Sequence, residues 1–170
     1  MDSISNFETS RLIAHCFSLN DYDTLCQLHS DPQVMATLGG IRPPEKTRQF
    51  LAEKMAHWGQ YGFGYWMFHH RETGQFVGRG GIQHIEIGGQ QEVEIGYTVA
   101  STFWGQGYAT EIAKTLVDLG FETLDLPEIV CFTLATNTAS QRVMEKVGFQ
   151  FERNVRHEEQ THVLYRLHQP

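Results

Sequence analysis

The strongest constraint on the fold is a change of hydrophobic period at Gly64. From there to Ala100 apolar and polar residues alternate with period two, the signature of strands. Tyr65 to His70, Phe76 to Ile87 and Glu92 to Val99 read as three strands, separated by turns at Glu72-Thr73-Gly74 and Gly88-Gly89. Connections that short join antiparallel neighbours, so this stretch is a meander. Beyond Ala100 helices and strands alternate. A helix over Gly107 to Thr123 carries the apolar stripe Ala109, Ile112, Ala113, Leu116 and Val117. A strand at Glu128 to Ala135 follows, then a helix at Thr138 to Val147 stopped by Gly148. Two strands, Phe149 to Val155 and His162 to Leu167, finish the chain.

The part before Gly64 supplies one more strand and two longer helices. Arg11 to Phe17 reads as an opening strand, and Asn20 as the cap of a helix whose Tyr22, Leu25, Cys26 and His29 follow helical spacing. Asp31-Pro32 starts a short helical turn that Gly39-Gly40 ends. Pro43-Pro44 opens a helix through Gly59 with Leu51, Met55 and Trp58 on one side. The expected fold class is α/β (mixed α+β): a central twisted mixed sheet of about 6–7 strands, with an antiparallel N-terminal meander and flanking helices. At 170 residues, without repeats, linkers or low-complexity tracts, residues 1–170 are expected to form one domain.

Composition narrows the class of function. The chain is 41% hydrophobic and 19% charged, the balance of a globular protein. No apolar run approaches the ~20 residues that span a bilayer, and the acidic N-terminus lacks the basic region of a secretory signal. No membrane partner is expected. Three cysteines, Cys16, Cys26 and Cys131, have no CxxC spacing, which fits thiols in a reducing, cytoplasmic compartment. The formal net charge of −7 speaks against nucleic acid and suits a cationic substrate, although any soluble acidic protein shares it. Nine histidines include no HxxxH pair, and adjacent His69-His70 point to opposite faces of a strand, so no metal is expected. Cys131, mid-strand among apolar neighbours, reads as core. Of Trp58, Tyr61, Phe63, Tyr65 and Trp66, most read as core, and some are placed to wall an acceptor pocket.

The chemistry is expected at Trp104-Gly105-Gln106-Gly107-Tyr108-Ala109, between a strand and a helix. Two glycines let the backbone turn tightly and expose successive N–H groups at the positive end of a helix dipole. That is an anion site, and a diphosphate is its natural guest. A Walker A loop would end in Gly-Lys-Ser/Thr, whereas Gly107 is followed by Tyr108-Ala109. A dinucleotide fingerprint would have a third glycine where Thr110 stands, and an acid after the next strand, which ends Leu134-Ala135-Thr136. An ordinary strand–helix turn with glycines for geometry satisfies the same residues.

Val93-Glu94-Ile95-Gly96-Tyr97-Thr98-Val99 followed by Phe103-Trp104-Gly105-Gln106-Gly107-Tyr108-Ala109-Thr110-Glu111 resembles the acetyl-CoA signature of the GNAT superfamily of N-acetyltransferases. The RimJ/RimL-like branch is the closer likeness. Asn137-Thr138-Ala139-Ser140 with Val143 to Phe149, Glu8 to Leu12, and Ser30 to Met35 extend the resemblance over nearly the whole chain. It implies acetyl-CoA as cosubstrate, held along Trp104, Gly105, Gln106, Gly107, Tyr108, Ala109 and Thr110, with the amides of Gln106 to Thr110 on the diphosphate. It implies that Thr98 and Val99 pair with the pantetheine arm as an added strand would. The sheet there splays in this family, leaving the acetyl carbonyl beside a backbone N–H. Asn137 would anchor the cofactor, or serve as a plain helix N-cap, or both.

Two departures bear on catalysis. Trp104 stands where the superfamily commonly has Gln or Arg, and Met144 stands where a tyrosine usually protonates the leaving thiolate. Ser140 is the best substitute acid, as the RimL-like arrangement suggests; the alternative is a serine that solvates a helix start. Glu94 is the first choice of base for the incoming amine, directly or through water. Glu92 shares its face, and paired glutamates on a strand are more often solvent-facing. The implied reaction is direct attack of a primary amine on the thioester in a ternary complex. The acceptor is a protein N-terminus, as the branch suggests, or a small amine such as a polyamine, amino acid or antibiotic. A non-catalytic acyl-CoA-binding module stands as the alternative, and a nicotinamide-dependent oxidoreductase as a distant third. Homodimers are frequent in such families, but no residue pattern here marks one.

Overall fold

The computed structural model describes residues 4–170. Its strands are β1 (Asn6–Glu8), β2 (Leu12–Cys16), β3 (Tyr65–His70), β4 (Phe76–Ile87), β5 (Gln90–Val99), β6 (Glu128–Leu134), β7 (Gln150–His157) and β8 (Gln160–His168). Its helices are α1 (Tyr22–Ser30), α2 (Pro32–Met35), α3 (Pro44–Tyr61), α4 (Tyr108–Asp118) and α5 (Thr138–Val147). The strands hydrogen-bond in the order β1-β2-β3-β4-β5-β6-β8-β7. This is the expected mixed sheet with eight strands rather than six or seven. The addition is β1, three residues too short to show a period, which pairs with β2 from Asn6 opposite His15 to Glu8 opposite Ile13.

Contacts divide the chain into two compact units: residues up to Gly81 with Tyr97–Tyr108, and Ile82–Gly96 with Ala109–Pro170. In the first, β2 pairs antiparallel with β3 and β3 with β4. Helices α1 and α3 bring Leu25 and Leu51 into a cluster with Phe17, Tyr65 and Met67. Burying each such side chain contributes about 1.5–3 kcal/mol. Strand β3 does not follow the expected alternation: Tyr65, Trp66, Met67 and Phe68 are all buried, because both faces of the strand are covered. Trp58 of α3 donates from Nε1 to the Tyr65 carbonyl at 2.9 Å and meets Trp66 edge-on at 5.0 Å. The α1 cap also differs. Asp21, not Asn20, is the N-cap, and its carboxylate closes the 3-10 turn that precedes the helix, accepting from the Ser18 N–H (2.7 Å), the Ser18 hydroxyl (3.0 Å) and His15 Nε2 (3.0 Å). At α2, Asp31 caps as expected, accepting from the Gln33 N–H at 2.9 Å.

In the second unit β5 runs parallel to β6 with Glu94 opposite Val130. Parallel neighbours need a crossover, and α4 lies in it. Strand β6 pairs antiparallel with β8 along Glu128 to Leu134, and β8 with β7. Ile87, Val130, Val155 and Leu164 form a core cluster, and α4 buries Ile112, Ala113, Leu116 and Val117. Helix α4 begins at Tyr108 and passes at Leu119 into a π-helical turn ending at Thr123. Helix α5 keeps its expected bounds and ends at Gly148. Cys131 is buried, and no helix of the described residues is long and apolar enough to cross a membrane.

Candidate active site

The loop after β5 is built from its backbone outward. The Ala100 N–H donates to the Val77 carbonyl at 2.8 Å, fixing where β5 ends. Ser101 donates from Oγ to Asp31 at 2.6 Å, and that hydrogen bond holds the Asp31 carboxyl below its usual range. Trp104 is 50% exposed, yet its indole N–H donates to the Val99 carbonyl at 2.8 Å. The indole thus braces the strand end.

Gly105 and Gly107 both have positive φ, 73° and 81°, a conformation that side chains with a Cβ rarely adopt. This is why the sequence places glycine at both. Gln106 between them is exposed, and α4 starts at once with Tyr108. The first N–H groups of any helix lack intrahelical acceptors, so the loop and the first turn of α4 present donors at a positive dipole end. Tyr108 itself is buried, with the Arg11 guanidinium 4.0 Å from its ring centroid and Phe103 edge-on at 5.7 Å. Arg11 Nη1 donates to the Gln106 carbonyl at 2.9 Å. The sequence offered no spacing signal for Arg11, which lies 95 positions from Gln106.

The two glutamates on β5 are buried rather than solvent-facing, Glu94 at 7% and Glu92 at 9% exposure. They have different partners. Glu92 meets Arg166 at 2.6 and 3.0 Å, and Arg166 also binds Glu128 at 2.7 Å and Glu152. The guanidinium is held above its usual range by hydrogen bonds to Glu92 and Glu152, and Glu152 is held below its own, chiefly by Arg166. Glu92 is therefore committed to an ion-pair cluster. Glu94 accepts from the neutral amide Gln83 Nε2 at 2.8 Å. Gln83 was absent from the sequence expectations although the signal existed. A two-residue turn at Gly88-Gly89 places residue 83 opposite residue 94.

Asn137 is the N-cap of α5, its Oδ1 accepting from the Ser140 N–H at 3.2 Å and its Nδ2 donating to Thr133 Oγ1 at 2.9 Å. Ser140 sits half-buried in the first turn of the helix. Met144 is 1% exposed. Tyr165 donates to Glu145 at 3.2 Å; burial, then that carboxylate, pushes its phenol pKa up. Thr98 and Val99 are buried on β5. Among the described residues, no group of three or more His, Cys, Asp or Glu side chains is placed to hold a metal ion.

A mixed sheet with a glycine loop of positive φ opening onto a helix start is a framework able to hold a diphosphate. Comparison with known proteins makes this specific. The family model of the acetyltransferase (GNAT) domain matches residues 11–150. The uncharacterized protein YkkB of Bacillus subtilis is 32% identical over 157 residues, covering 92% of this chain and 91% of that protein. An acetyltransferase from Agrobacterium tumefaciens superposes with a TM-score of 0.86 at 29% identity, covering 99% of this chain and 97% of that one. RimL, a ribosomal L7/L12 alpha-N-protein acetyltransferase solved in complex with coenzyme A, shares the fold at a TM-score of 0.77 and 17% identity, covering 95% and 96% of the two chains. The chain belongs to the GNAT family of N-acetyltransferases.

Proposed function

We propose that this N-acetyltransferase takes its acetyl group from acetyl-CoA and transfers it to a primary amine by direct attack, with residues 1–170 acting as one domain. Neither compact unit is a continuous piece of chain, since the boundary is crossed inside β4, inside β5 and at the start of α4. The observation that carries the reading is the Gly105–Gly107 loop, whose positive φ angles and adjoining helix start suit a diphosphate. In this proposal Trp104, Gly105, Gln106, Gly107, Tyr108, Ala109 and Thr110 line the cofactor, and backbone groups of Thr98 and Val99 take the pantetheine arm. Asn137 contributes to cofactor binding while capping α5.

Glu94 acts as the base. It is buried, accepts a hydrogen bond from the neutral amide of Gln83, and lies on the strand that leads to the cofactor segment. Ser140 serves the leaving thiolate, because Met144 has no proton to give. An acceptor amine must lose its proton before it attacks, which is why a carboxylate base matters more here than a nucleophile. Protein N-termini and small amines both meet that requirement.

The test is thermal stability of the purified protein with acetyl-CoA, coenzyme A, NAD and ATP. A ligand present at 100 to 1,000 times its dissociation constant adds about 2.7–4.1 kcal/mol. Stabilisation by the two coenzyme A forms, with thiol release on adding N-terminal peptides or polyamines, is the expected result. Stabilisation by NAD or ATP instead overturns the cofactor assignment. Binding without turnover on any amine leaves a non-catalytic acyl-CoA-binding module.

A further inference from the structure

The glycine loop is held from a distant part of the chain by Arg11. The turn that presents Arg11 is itself well built. The Leu12 N–H donates to Thr9 Oγ1 at 2.9 Å and the Thr9 N–H to the Leu12 carbonyl at 2.9 Å. The Arg71 N–H donates to the Arg11 carbonyl at 2.9 Å, and Arg71 Nη1 to the Thr9 carbonyl at 3.0 Å. From this base the guanidinium reaches the loop in three ways. It donates to the Gln106 carbonyl at 2.9 Å, lies 4.0 Å from the Tyr108 ring centroid, and has Nη2 3.5 Å from where a Cβ on Gly107 would stand.

The geometry of a trans peptide turns these contacts into a statement about the cofactor. In one peptide unit the C=O and the N–H point in opposite directions. A guanidinium that grips the Gln106 C=O therefore turns the Gly107 N–H away from itself, and holds it there. A glycine at φ 81° has many other conformations open to it, so without the grip this peptide plane is free to rotate. The charge on Arg11 also polarises the peptide unit, strengthening the Gly107 N–H as a donor. The stacking on Tyr108, the first residue of α4, ties the same lock to the helix start.

We infer that Arg11 is a positioning residue for the cofactor diphosphate: it locks the Gln106–Gly107 peptide so that the glycine loop presents its N–H groups in a preformed anion site. The inference rests on the proposed acetyl-CoA site. It assigns Arg11 to affinity for the diphosphate end of the donor, not to chemistry at the thioester.

The experiment compares Arg11→Gln and Arg11→Lys with the parent on two donors, acetyl-CoA and S-acetylpantetheine, which lacks the diphosphate. Loss of one charged hydrogen bond corresponds to about a 10- to 100-fold change in an equilibrium constant. The dissociation constant of coenzyme A, measured by calorimetry, and KM for acetyl-CoA should both rise by that factor in Arg11→Gln, with kcat changed less than about threefold. Its kcat/KM for S-acetylpantetheine should stay within about threefold of the parent. Arg11→Lys keeps a charged donor and should show a smaller rise. Equal losses on both donors would reveal a general folding defect and overturn the inference, as would an unchanged KM for acetyl-CoA in both variants. A parent protein that binds no coenzyme A form sinks the cofactor reading itself, a result visible before any variant is made.

Discussion

At the scale of single residues the two glutamates of β5 show how partners decide roles. They are two positions apart on one face and almost equally buried, so nothing in the local pattern separates them. Arg166 takes Glu92 into an ion pair, whereas the neutral amide of Gln83 donates to Glu94. A base must be able to reach the incoming amine, and the Glu92 oxygens are already engaged by the Arg166 guanidinium. Glu94→Gln should lower kcat by about 10²- to 10³-fold near neutral pH. It should also leave coenzyme A affinity unchanged. The deficit should shrink at alkaline pH, where the acceptor amine is already neutral. Activity within about threefold of the parent across the whole pH range would exclude Glu94 as the base.

Between elements, the sequence showed the strands more clearly than their order. Short turns and alternating residues made β3, β4 and β5 legible, and Asn137 and Gly148 bracketed α5. The glycine loop was legible too, because positive φ leaves a mark on residue choice. What could not be read was any contact that depends on which strands become neighbours. Arg166 on β8 reaches Glu92 on β5, Glu128 on β6 and Glu152 on β7 only because the sheet order is β5-β6-β8-β7. Arg11 reaching Gln106 is another such case. The Arg166 cluster predicts an unusual stability pattern. Arg166→Met leaves the Glu92 carboxylate, 8% exposed, without its cation, and should cost about 3–5 kcal/mol. Glu128 and Glu152 keep more solvent, 41% and 30%, and add little to that loss. Replacing both partners, Glu92→Leu with Arg166→Met, should recover most of it, since an apolar pair carries no desolvation penalty. Urea unfolding of the two proteins decides the matter, and a double variant as unstable as the single one refutes it.

For the molecule as a whole, the sharpest pH dependence should come from a residue with no part in the proposed reaction. His29 is fully buried in α1, its Nδ1 2.9 Å from the Thr47 hydroxyl of α3 and its ring edge-on to Phe50 at 5.2 Å. Its Nε2 is buried with no hydrogen-bond partner among the described residues. Burial first, then the nearby charges of Arg79 and Arg42, bring its pKa down from 6.5 to about 3. The native state thus refuses a proton that the unfolded chain accepts over that whole interval. Because the folded value lies below the unfolded one, the contribution to stability is complete above pH 6.5 and is lost progressively towards pH 3. The slope for one such proton is about 1.4 kcal/mol per pH unit. Asp21 and Glu152, whose carboxyls are also held low, pull in the same direction as the solution is acidified. Their share is common to the parent and to His29→Gln, in which an amide keeps a partner for Thr47. The difference between the two proteins therefore isolates His29. Urea unfolding between about pH 6 and about pH 4 should give the parent a steeper loss by close to one proton's slope. Parallel slopes would mean that the imidazole titrates in the native state, with water reaching the space between α1 and α3, and that the packing of those helices is looser than their contacts imply.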